Sequence, residues 1–248
     1  MSGLATVLSH PAIWRGAELG RVSTPSVPSG YAELDAELPG GGWPTAALTE
    51  ILPQHEGIGE LRILGHALAK LAAEGRWLAW IAPPYLPYAP ALQAAGIDLS
   101  RLLVIRTRSP RETLWAFEQT LRSQTCGAVL AWPEKIAYAE LRRLQLAAEG
   151  GTTMAVLFRP LRCITEATPS ALRLRLDTQG GVLAARILKR RGGVLGRSIT
   201  LVPPSPVNRS FFNTDPNINP NGWNHHVMDR TAFAASAARS VCAGLGIN

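Results

Sequence analysis

Between Ala46 and Phe158, short apolar runs alternate with longer stretches in which large aliphatic residues recur every three or four positions. Ala46–Leu52, Trp77–Ala82, Leu102–Arg106, Ala128–Trp132 and Thr153–Phe158 read as strands. Their continuous apolar character, without polar alternation, fits strands covered on both faces. Gly59–Glu74 reads as a helix with Leu61, Leu64, Leu68 and Leu71 on one side, followed by a short Ala-rich helix at Ala89–Ala95 and longer ones at Pro110–Arg122 and Ala137–Glu149. This rhythm predicts an α/β fold with a mostly parallel central sheet between helical layers. Ala171–Leu176 and Val182–Leu188 flank Asp177-Thr178-Gln179-Gly180-Gly181, a hairpin signal, so an antiparallel edge hairpin is expected to close the sheet.

Outside this core the period fails. Residues 1–45 are expected to form an amino-terminal segment and linker punctuated by Pro25, Pro28 and Gly40-Gly41-Gly42, residues 46–202 the core, and residues 203–248 an irregular tail. Within the tail, Thr231–Ala243 has the composition of one short helix whose only large apolar residues are Phe233 and Val241. Such a helix is too short to stand alone and is expected to order against another surface. Ala12-Ile13-Trp14 forms an apolar island ahead of the linker. Ile13, Trp14, Phe233 and Val241 are therefore candidate partner contacts.

Composition narrows the class. The 248 residues are 46% hydrophobic, with no run of 18 apolar residues, so membrane insertion is not expected. Met1-Ser2-Gly3-Leu4 lacks the layout of a signal peptide, and a cytoplasmic location is expected. Three cysteines and five histidines at scattered spacing suggest neither a disulfide framework nor a metal site, and no cofactor is expected. Charge is uneven: residues 1–100 carry five basic and nine acidic side chains, residues 101–204 seventeen and seven. Arg186, Lys189, Arg190, Arg191 and Arg197 cluster around the last hairpin and are candidates for contact with nucleic-acid phosphates. Trp77, Trp80, Trp115 and Trp132 are expected in the core, and Glu134, Lys135, Arg142 and Arg143 on solvated helix surfaces.

The loop after the first core strand is where an α/β sheet of this order would hold nucleotide phosphates. It reads Leu52-Pro53-Gln54-His55-Glu56-Gly57-Ile58-Gly59. Against G-x-x-x-x-G-K-[ST], only the second glycine survives, as Gly57; Ile58 stands at the lysine and Gly59 at the hydroxyl residue. Glu56 and Glu60 flank the helix start, where carboxylates repel a triphosphate.

Several blocks carry a family resemblance. Val27-Pro28-Ser29-Gly30-Tyr31-Ala32-Glu33-Leu34-Asp35, Leu38-Pro39-Gly40-Gly41-Gly42-Trp43-Pro44, Leu48-Thr49-Glu50-Ile51, Gly96-Ile97-Asp98 with Leu102-Leu103, and Gly127–Trp132 resemble the RecA core. The resemblance implies a RecA-like P-loop NTPase fold whose nucleotide motifs are lost. The family's lysine, water-activating glutamate and magnesium-associated aspartate fall on Ile58, Pro84 and Trp132, so no catalytic residue is expected. Within that family, Leu8–Arg15, the Leu38–Pro44 turn and His226-Val227-Met228-Asp229-Arg230 resemble the ImuA group, with SulA as a relative. The resemblance covers roughly residues 8–202 and the short box in the tail.

ImuA resemblance implies a non-catalytic accessory protein of SOS-induced translesion DNA synthesis. Its partners would be RecA, an ImuB-type polymerase relative and a mutagenic DNA polymerase on damaged, single-stranded DNA. SulA resemblance implies instead an inhibitor that binds the tubulin-like division protein. A third reading is a residual ATPase using other residues. Arg159 and Arg162 lie where RecA carries a DNA-binding loop and join the candidate DNA contacts on that ground.

Overall fold

A computed structural model describes residues 25–190 and 197–202. The expectations placed on Ile13, Trp14, Arg191, Phe233 and Val241 lie outside the described residues. The central sheet contains β3 (Leu48–Pro53), β4 (Trp77–Ile81), β5 (Leu102–Ile105), β6 (Cys126–Ala131), β7 (Met154–Phe158), β8 (Leu172–Gln179), β9 (Val182–Lys189) and β10 (Ser198–Thr200). Their spatial order is β10-β9-β8-β3-β7-β6-β4-β5. All neighbours from β8 to β5 run parallel, while β9 and β10 add antiparallel strands beyond β8. The fold is thus α/β with a mostly parallel central sheet and an antiparallel extension. Among the described residues no helix is long and apolar enough to cross a membrane.

Alternation along the strands divides the apolar residues between two layers. Leu78, Trp80, Leu130, Val156, Leu174 and Ile187 pack with α2 (Gly65–Ala73), which contributes Ala67, Leu68 and Leu71. Leu48, Ala79, Ile81, Val129, Ala155 and Leu157 face α4 (Pro110–Ser123) and α5 (Tyr138–Ala148) through Leu114, Phe117, Leu121, Leu141 and Leu144. The short α3 (Ala89–Ala94) buries no residue. Local chemistry sets the helix starts. Ser109 Oγ accepts from the Glu112 amide while Glu112 reaches back to the Arg108 amide, and Pro110 opens α4. At α5 the Glu140 carboxylate accepts from the Ala137 amide.

The structure revises three sequence expectations. Residues 25–45 are more than a linker: β1 (Ser26–Val27) pairs with β2 (Trp43–Pro44), and with α1 (Ala32–Asp35) they bury Val27, Leu34, Leu38 and Trp43 in the α2-side core. Gly42 permits this closure, because a Cβ there would sit 2.3 Å from the Val27 carbonyl oxygen. The predicted helix from Gly59 begins as a 3₁₀ turn, Glu60–Leu64, following a left-handed Gly59 and lacking a side-chain cap. Among the described residues the sheet ends at β10, beyond the predicted hairpin.

One polar cluster ties neighbouring strands together. Glu50, in the middle of β3 and fully buried, lies 2.9 Å from Arg159 Nη1 at the end of β7 and 3.5 Å from Arg173 Nη2 on β8. The Thr168 hydroxyl donates to the same carboxylate. Arg159 also meets Glu166 at 2.7 Å, and Arg173 donates to the carbonyls of Cys163, Ile164 and Glu166. These bonds pin the β7–β8 crossover, including its 3₁₀ turn Leu161–Thr165, across the sheet. Removing one member of a buried charged set leaves the others desolvated and uncompensated, which typically costs about 3–5 kcal/mol. Glu50→Ala is therefore expected to lower unfolding free energy by that order in urea titrations. Glu166→Ala, which removes a half-exposed carboxylate and leaves Arg159 its bond to Glu50, should cost less than Glu50→Ala.

Candidate functional site

The carboxyl ends of the parallel strands gather the loops that an α/β sheet uses for ligands. After β3, Gly57 and Gly59 take φ of +80° and +89°, and Ile58 between them packs against the apolar core. No cation stands at the lysine position. The Tyr85 hydroxyl, from the loop after β4, donates to Glu56 Oε2 at 3.2 Å and ties the two loops together. That bond and the carboxylate's charge push the Tyr85 phenol above its ordinary range. Pro84 sits exposed in the same loop.

Beyond β6 the chain places a ring. Trp132 stacks on Phe158 with centroids 5.0 Å apart and meets Trp80 edge-on at 6.1 Å. Such pairs contribute about 0.5–1.5 kcal/mol beyond the area they bury. Trp80 is buried as expected; Trp115 is not. It is 55% exposed on α4, because Thr113, Leu114, Phe117, Glu118 and Leu121 already supply the inward face. Tyr85, Leu86 and Tyr88 are exposed as well.

An open groove of about 410 Å³ lies between the β6–α5 loop and the β7–β8 crossover, lined by Glu134, Lys135, Glu140, Arg159, Arg162 and Glu166 among others. Its charges are balanced rather than of one sign. Cys163 also lines it, and burial pushes that thiol up, away from the reactive thiolate. Among the described residues no group of His, Cys, Asp and Glu could hold a metal ion.

The candidate phosphate contacts separate in space. Arg159 is a correction: at 2% exposure and bound to Glu50 and Glu166, it serves the interior and offers no surface to DNA. Arg162 is exposed on the crossover. Lys189 donates to the Thr168 carbonyl at 2.6 Å. Arg190 and Arg197 both grip Glu37, at 2.8 and 3.1 Å, so two of the five clustered cations are paired by an acid from near α1. Arg186 is exposed on β9. Arg143 pairs with Glu118 at 2.8 Å and joins α5 to α4. Glu50 and Glu37 were missed as site-organising residues; for Glu50 the signal was a lone acid inside an apolar strand.

The fold and site define an α/β domain with a mostly parallel central sheet and an antiparallel extension. The family model described as cell division inhibitor SulA matches residues 48–155. The chain is 32% identical to cell division inhibitor SulA of Edwardsiella piscicida over 40% of this chain and 58% of that protein. It is 31% identical to protein ImuA of Caulobacter vibrioides over 56% of this chain and 60% of that protein. These matches span less than two thirds of the length of either relative. A crystal structure of SulA from Pseudomonas aeruginosa aligns with a TM-score of 0.39 and 27% identity over 47% of this chain and 99% of that one.

Arg197 and Arg190 hold the Glu37 carboxyl below its ordinary range through their hydrogen bonds. A depressed carboxylate contributes stability above its unfolded pKa, and the contribution is lost as pH falls through the folded value. Thermal stability is therefore expected to fall on acidification below the ordinary glutamate range of about 4.3. Glu37→Gln should show a smaller fall over that window in parallel melting curves, and identical wild-type and variant pH profiles would remove the clamp from the account.

Proposed function

We propose that this chain is a non-catalytic accessory protein of SOS-induced translesion DNA synthesis, built on a RecA-like core that has lost nucleotide chemistry. The observation carrying this reading is the state of the strand ends. Where phosphate charge, water activation and a metal anchor would be needed together, the chain has the core-packed Ile58, the exposed Pro84 and the ring-stacked Trp132. Mostly parallel topology with an antiparallel extension supports the RecA-like comparison. Similarity to ImuA extends over 56% of the chain against 40% for the Edwardsiella SulA, and favours the ImuA-type role. Partners on this reading are RecA, an ImuB-type polymerase relative and a mutagenic DNA polymerase in the cytoplasm.

A second reading has specific support. The SulA family model matches 48–155, the heart of the parallel sheet, which favours an inhibitor of the tubulin-like division protein. Affinity capture of the tagged full chain from DNA-damaged cells separates the two. Recovery of RecA and polymerase components is expected on the first reading; recovery of the division protein without them would replace it with the second.

Loss of nucleotide chemistry is tested separately. Calorimetric titration with ATP and Mg²⁺ is expected to show no saturable binding up to about millimolar ligand, where the binding free energy is only about −4 kcal/mol. Micromolar binding that Glu56 and Glu60 substitutions alter would revive the ATPase reading.

A further inference from the structure

The sheet is covered unequally on the side of α4 and α5. Those helices pack over β4, β6 and β3, while the outward positions of β8, β9 and β10 carry Arg175, Asp177, Ala184, Arg186, Ser198 and Thr200. Opposite positions on these strands supply the α2-side core through Leu174, Leu176, Leu183, Ala185, Ile187 and Ile199. Arg186, Ser198 and Thr200 are exposed, and the Arg175 side chain is 34% exposed.

Register aligns these groups in rows. Arg175 pairs with Arg186, and Arg186 with Ser198; Asp177 pairs with Ala184, and Ala184 with Thr200. Two arginines directly opposite each other repel, which weakens the sheet unless an anion lies over them. Asp177 answers Arg175 alone, with Oδ1 at 2.8 Å from Nη2. Arg186 has no hydrogen-bond or ion-pair partner among the described residues. The row therefore presents a net positive charge beside two hydroxyl groups and the small, buried Ala184.

We infer that this open face of β8, β9 and β10 binds the backbone of single-stranded nucleic acid. Arginine guanidinium and Ser or Thr hydroxyl groups are the side-chain donors that phosphate oxygens take up. A protein partner would need aromatic or large aliphatic anchors at the centre of its contact, and the Arg175 and Asp177 rows offer none; the exposed Val182 lies one row further out, opposite Gln179. The segments outside the described residues are themselves net basic: residues 1–24 carry two arginines and one glutamate, and residues 203–248 three arginines and two aspartates. Shape selects the single strand. The face is three strands wide, about 10 Å at the usual spacing, and the crossover held by Arg173 lies over the same side of β8. Such a strip accommodates one backbone. This surface shares Arg186 with the cation cluster read from the sequence, of which Arg190 and Arg197 are held by Glu37. It stands whichever of the two functional readings holds.

Fluorescence anisotropy of the full-length protein with labelled oligothymidylate, between ~50 and 200 mM salt, tests it. Arg186→Gln is expected to weaken binding and to reduce the log–log salt slope by about 0.7, whereas Thr200→Lys on the same face should increase it by a similar amount. Matching thermal unfolding curves would show that both variants fold. An unchanged slope in both variants would overturn the inference, as would tighter binding of a duplex of equal length. Displacement of the oligonucleotide by polyglutamate at equal charge concentration would assign the face to an acidic protein instead. Capture of the expected partners by a variant that no longer binds DNA would leave the functional reading standing and confine any failure to this surface.

Discussion

A fully buried carboxylate cannot stay charged inside a sheet unless cations and donors are brought to it. Glu50 sits at the middle of the central strand β3, and the groups around it come from three separate places: Arg159 from the end of β7, Arg173 from β8 and Thr168 from the crossover between them. Meeting that demand places β8 beside β3 in the register that opposes Glu50 to Arg173. It also folds the crossover back, because Arg173 is held by the crossover's own carbonyls. Once β8 lies there, β9 and β10 can extend the sheet away from the helices. The groove, the exposed Arg162 and the open antiparallel face all follow from this arrangement.

The carboxyl ends of the parallel strands obey a different constraint. A phosphate site needs vacant space ringed by donors and cations. Here Trp132, Phe158 and Trp80 fill part of that region with aromatic contact, Ile58 turns into the core, and Tyr85 bridges to Glu56. Each group has a packing or hydrogen-bonding reason for its position that does not involve a ligand. On the proposed reading, these contacts stand where a nucleotide site would need its charge neutralised.

Most of the parallel sheet was legible because strands buried on both faces are written as continuous apolar runs, and their helices as three-to-four-residue periods. β10 was not, since three residues with one buried side chain, Ile199, leave no period to read. Trp115 misled because its type suggests burial while its helical position points outward. Arg159 misled more deeply. Its acid partner lies 109 positions earlier in the chain, and only the β3–β7 pairing brings Glu50 near. A local count of charges has no means of finding such a partner. Glu37 acts over a greater separation, 153 positions from Arg190.

These long-range pairings change how the basic half of the chain should be understood. Counted along the sequence, it is a broad surplus of arginine; arranged in space, much of that surplus is committed to particular acids or carbonyls. Arg159 and Arg173 stabilise the interior, Arg190 and Arg197 hold the amino-terminal layer through Glu37, and Arg143 joins two helices through Glu118. A cation already held by an acid has less to gain from an external phosphate, since binding must first break or weaken the existing pair. The arginines available for recognition are therefore the few left uncommitted. Among the described residues Arg186 has no such acid or carbonyl partner, and it lies on a strand whose other face is fixed in the core by Ala185 and Ile187. Its position is set by the sheet rather than by a loop, so a ligand binding there would meet a preorganised surface and incur less ordering cost.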